Sequence, residues 1–107
     1  MNISRFDINT AERAHQDTIL ASDVLPQGME APFRHAWGYL NEAGTMELHA
    51  HPALEVYFFF KGDGFVIVGD ERQAVSCGDV VEIPRNVMHT VQNETDEPLL
   101  WAAMWWD

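Results

Sequence analysis

The chain has 107 residues, 47% of them apolar, with four Trp and six Phe, and its 17 acidic against 6 basic side chains give a formal charge of −11. That is one domain's length with enough apolar mass for a packed core, which excludes a disordered chain. So acidic a surface keeps the protein soluble and makes nucleic acid and anionic membrane poor partners, whereas a cation is electrostatically well placed.

The single cysteine, Cys77, excludes an internal disulfide and suits a reducing, cytoplasmic setting. It stands before Gly78 with no cationic neighbour and reads as a quiet structural thiol. Residues 1–20 lack the charged start and apolar core of a secretory signal. No apolar run approaches the ~20 residues of a membrane-spanning helix.

From the N-terminus, residues 1–17 are mixed and polar. Asn9 followed by Glu12 has the spacing of a capping pair, which predicts one short helix over residues 10–16. From Thr18 the pattern becomes one of short strands, near 18–24, 33–40, 45–50, 54–61, 64–69, 72–76, 79–83, 88–93 and 98–106. Clusters of Gly, Asn, Asp and Pro separate them, as at Gly62-Asp63-Gly64 and Pro84-Arg85-Asn86, where the chain needs unusual backbone angles or a side chain that closes a turn. Many strands at intervals of about 8–12 residues predict an all-β sandwich or barrel. We expect a single domain over residues 18–107, with residues 1–17 as an N-terminal segment.

One stretch, Gly44 to Gly62, carries chemistry. His49 and His51 flank Ala50 and project from the same face of a strand, close enough to share one ion. Pro52 favours a turn that would bring Glu55 back beside them on the neighbouring strand. Two imidazoles and a carboxylate aimed at one point suit a divalent transition metal. His89 is the candidate fourth ligand: the strand ending at Ile83 is stopped by Pro84, the chain turns at Asn86, and His89 opens the next strand.

These two stretches resemble the paired motifs of the cupin superfamily, in its small single-domain, metal-binding form. His49, His51, Glu55 and Gly62 match the first motif, and Gly78, Pro84, His89 and Asn93 the second. Gly44 departs from the pattern by one residue of spacing, and Asn86 replaces a glycine; asparagine is the next most tolerant residue of positive φ. The resemblance implies a cupin-type double-stranded β-helix, a jelly-roll barrel, holding one divalent ion through His49, His51, Glu55 and His89. Without a cation, such a convergence would leave buried polar groups at a cost of several kcal/mol. Iron, manganese, cobalt, nickel and zinc all suit these ligands. His15 and His35 have no spaced partners and read as ordinary surface or core residues.

Strand parity makes Tyr57 and Phe59 candidate pocket walls, joined by Trp37, Met88 and Trp101, although plain core packing would also account for each. Glu47 either points into the cavity as a base or ligand-supporting group, or is a solvated strand-edge carboxylate. On the opposite face of the same strand, Val56, Phe58 and Phe60 need cover from the N-terminal segment or from a second subunit, which predicts a homodimer. The expected function is that of a metal-dependent oxidoreductase, dioxygenase-like, acting on a small oxygenated compound. The alternatives are a non-catalytic small-molecule binding or sensing module and a metal-dependent isomerase or lyase.

Overall fold

In the computed structural model, which describes residues 1–107, the chain forms ten strands and no helix. They are β1 (Glu12–Ala14), β2 (Ile19–Ser22), β3 (Arg34–Leu40), β4 (Gly44–Thr45), β5 (Leu54–Lys61), β6 (Gly64–Val68), β7 (Glu71–Val75), β8 (Val80–Ile83), β9 (His89–Asn93) and β10 (Leu99–Trp106). Every pairing is antiparallel. One sheet runs β1-β2-β3-β10-β5-β8 and the other β4-β9-β6-β7.

Alternation decides which side chains go inside. Along β5, Glu55, Tyr57 and Phe59 are buried while Leu54, Val56 and Phe58 are only partly covered, the period-2 pattern of a strand with one face on the core. Both sheets contribute to that core: Tyr57, Phe59, Ile83, Leu99 and Trp101 come from the first, Val66, Val75 and Val91 from the second. The chain crosses from β5 in the first sheet to β6 in the second at Gly62, which sits at φ 85°; a Cβ there would lie 2.2 Å from the Pro98 carbonyl oxygen, so no other residue fits. Asn86 adopts φ 62° where the family motif has glycine, as its tolerance of the left-handed region allows.

The expected helix over residues 10–16 does not form. The chain is tied into a turn two residues before Asn9, where Asp7 accepts hydrogen bonds from the amides of Asn9, Thr10 and Ala11. Glu12 to Ala14 then run extended and pair with Ile19 to Ala21. A helix of so few residues cannot repay its nucleation in water, whereas an adjacent strand edge satisfies the same backbone groups. The strand expected over residues 45–50 is also shorter, reduced to β4 and a lone bridge between His49 and His89.

On the outer face of the first sheet, Val80, Phe58, Ala102 and Trp37 form one row across β8, β5, β10 and β3. The N-terminal segment covers one end of this face, where Phe6 stacks on Tyr39 with ring centroids 5.0 Å apart and meets Trp37 edge-on at 6.2 Å. The other end stays open, with Phe60 52% and Val80 59% exposed.

Candidate metal centre

Four polar side chains converge at one end of the barrel, between the two sheets. His49 and His89 are directly opposite each other and exchange both backbone hydrogen bonds, His89 N to His49 O at 2.8 Å and His49 N to His89 O at 3.2 Å. Such a pair puts both side chains on one face. Glu55 enters from β5 in the other sheet, and His51 from the connection between them. That connection is held in place from the β8–β9 loop: Asn86 N donates to the His51 carbonyl at 2.8 Å, and the Arg85 guanidinium donates to Pro52 O at 3.1 Å.

Each imidazole is oriented by its own backbone. The Nδ1 of His49 donates to Glu47 O at 2.7 Å, that of His51 to Ala53 O at 3.0 Å, and that of His89 to Val87 O at 2.8 Å. A carbonyl only accepts, so Nδ1 carries a proton in all three rings, and in the neutral form each Nε2 is left with a lone pair for a cation at the centre. One nitrogen from each ring lies within 4.8 Å of the other two. The Glu55 Oε1 is 3.0 Å from His51 Nε2 and 3.4 Å from His89 Nε2.

A donor set of this kind fits a divalent metal. His89 is fully buried, and its Nε2 has no hydrogen-bond partner. With Nδ1–H committed to Val87, that nitrogen faces the Glu55 carboxylate acceptor against acceptor. A cation between them resolves the repulsion, and ligand distances of about 2.1 Å bring such donors to within about 4.2 Å of one another. Burial holds His49 below the ordinary histidine range, with the nearby His89 acting in the same direction and the Glu47 carbonyl opposing it. The neutral form is the one that ligates.

The family model for the cupin domain matches residues 36–106. The chain is a cupin. Among curated proteins no sequence matches at a significant level. Among solved structures, it is similar to a cupin 2 conserved barrel domain protein from Salinispora arenicola, with 27% identity over 100% of this chain and 89% of that one at a TM-score of 0.87. It is likewise similar to the plu4264 protein from Photorhabdus luminescens, with 28% identity over 100% of this chain and 89% of that one at a TM-score of 0.89. A predicted oxalate decarboxylase from Thermotoga maritima shares the fold, at 21% identity over 82% and 79% of the two chains and a TM-score of 0.73.

Above the His/Glu cluster of this cupin lies a cavity of about 360 Å³. His49, His51 and Glu55 sit on its wall, with Tyr57, Trp101 and Trp105 as its aromatic lining. The room comes from small residues: Ala21, Ala36, Gly38 and Ala103 face inward from β2, β3 and β10. Burial pushes the Tyr57 phenol well above its ordinary range, and the Glu55 carboxylate beside it pushes the same way.

Of the expected wall residues, Tyr57 and Trp101 line this cavity. Trp37 borders it, but its ring packs outward, 5.2 Å from Phe60. Phe59 is 2% exposed in the core beside Trp101 and is absent from the wall. Met88 is 46% exposed on the loop before β9, also away from the cavity. Glu47 supports the centre through its backbone carbonyl, while its carboxylate stands 3.9 Å from His15 Nδ1. His35 is structural, its Nδ1 accepting from the amides of Val24 and Leu25. His15, which has no spaced partner in the sequence, lines the cavity with its ring 4.3 Å from that of His49.

Proposed function

We propose that this cupin is a mononuclear metal-dependent enzyme, an oxidoreductase of the dioxygenase-like kind acting on a small oxygenated organic compound. The observation that carries the reading is the unpartnered, fully buried His89 Nε2 facing Glu55, set beneath an apolar cavity. His49, His51, Glu55 and His89 would hold the metal. When bound it supplies Lewis acidity towards the oxygen atoms of a substrate and, as iron, chemistry with dioxygen. The chain's own part is positioning. The three Nδ1–H bonds to backbone carbonyls fix the ring orientations. Trp101, Trp105 and the Tyr57 ring exclude water and grip an apolar or planar portion of the substrate, while the Tyr57 phenol, kept protonated, is a hydrogen-bond donor.

An isomerase or lyase would use the same cavity, and the buried phenol near the cluster favours that second reading because it can hold a proton at a reacting oxygen. The experiment that separates the two loads the protein with iron, manganese, nickel, cobalt or zinc. Each form is then followed with an oxygen electrode and by mass spectrometry across enols, catechols and thiols. Oxygen uptake with the iron form and an oxygenated product is the expected result. Conversion without oxygen uptake would move the assignment to a lyase or isomerase. Calorimetric binding with no conversion by any metal form would leave a binding module. We further propose that the open end of the outer face, around Phe58, Phe60 and Val80, is covered by a second copy of the chain. The lone cysteine supports a reducing compartment such as the cytoplasm.

A further inference from the structure

The β1–β2 turn is built in an expensive way. His15, Gln16 and Asp17 take φ values of 51°, 58° and 63°, three successive non-glycine residues in the left-handed region. Single residues visit that region, but a run of them persists only when the surroundings enforce it. Thr18 supplies the enforcement. Its hydroxyl donates to the His15 carbonyl at 2.6 Å and accepts from the Glu47 amide at 2.9 Å, so one side chain bolts the turn to the segment that carries His49. The result is an imidazole delivered from outside the sequence of the ligand motifs. It lies tilted by 31° over the His49 ring, at the edge of the cavity and with its side chain 37% exposed.

We propose that His15 orients the substrate of this centre, donating a ring N–H to an oxygen of the compound held at the metal. The inference rests on the metal-centre reading above and adds to it a fifth side chain, along with a class of ligand: a small molecule with two adjacent oxygen donors that chelates the metal, one of those oxygens also accepting from His15. Its ring is free for the task. The polar group facing it is Glu47 Oε1 at 3.9 Å from Nδ1, beyond hydrogen-bond range. A separate metal site made of His15, Glu47 and His49, whose donor atoms also lie within 4.8 Å of one another, is the competing use of the same residues. It fails on the ring of His49. Nδ1 of that ring is committed to the Glu47 carbonyl, and its other nitrogen belongs with His51 and His89.

The test uses cobalt(II)-loaded protein and acetohydroxamate, a bidentate oxygen ligand, titrated by visible absorption and calorimetry on wild type, His15→Ala and His15→Gln. Cobalt stoichiometry and thermal unfolding should be the same in all three. The acetohydroxamate Kd should rise about tenfold in His15→Ala, the loss of one hydrogen bond, and return to within about threefold of wild type in His15→Gln, which restores a donor. An unchanged Kd in His15→Ala overturns the proposal, as does a wild type that holds cobalt but does not respond to acetohydroxamate. Loss of cobalt from His15→Ala also overturns it, because His15 would then be a ligand. A wild type that takes up no cobalt contradicts the metal-centre reading itself, an outcome separable from the others.

Discussion

Gly38 sets the floor of the cavity by having no side chain. An added Cβ would stand 2.2 Å from Cε2 and 2.6 Å from Nε1 of Trp101, so the indole lies directly against the β3 backbone. Gly38→Ala must push that ring into the cavity or spread β3 from β10. Overpacking of this kind costs about 1–3 kcal/mol, and we expect a lowered midpoint in thermal unfolding with a smaller cavity. A midpoint equal to that of wild type would mean that the indole has room to move. Single residues also mark the limit of what the sequence discloses. The convergence of His49, His51, Glu55 and His89 is legible because their spacing follows from local strand and turn geometry. Gly38, Ala36, Ala21 and Ala103 are not, because their shared inward face exists only once β2, β3 and β10 are in register. His15 escaped for the same reason: nothing local says that the β1–β2 turn lands on His49.

At the scale of elements, the strands from β5 to β10 stand within a residue or so of where alternation and turn residues put them, while the N-terminal stretch does not. The Asn9/Glu12 pair looked like a helix start, yet Asp7 closes the turn and β1 joins the sheet; local propensity lost to a tertiary pairing that spacing cannot reveal. The outer face of β5 gives this scale its prediction. Phe6 reaches Trp37 and Tyr39 but leaves Phe60 half-exposed beside the exposed Val80. With a second copy covering that end, wild-type protein elutes as a dimer, and Phe58→Glu, which places a charge in the row between Val80 and Ala102, elutes as a monomer with its metal content intact. An unchanged elution volume would contradict the pairing.

For the molecule as a whole, two sheets close around an apolar core and bring a His/Glu cluster together at one end. His49 and His89 come from one side, Glu55 from the other and His51 from the link between them, so the integrity of the barrel and the geometry of the cluster depend on each other. The acidic surface adds a field that attracts cations. Anomalous diffraction at the absorption edge of the bound metal, on crystals of the protein as isolated, tests this account most directly. We predict one peak about 2.0–2.2 Å from the Nε2 atoms of His49, His51 and His89 and from a Glu55 oxygen. Elemental analysis of the same sample should give one ion per chain. A peak centred on His15 and Glu47, or a metal-free cluster in protein saturated with divalent ions, would contradict it.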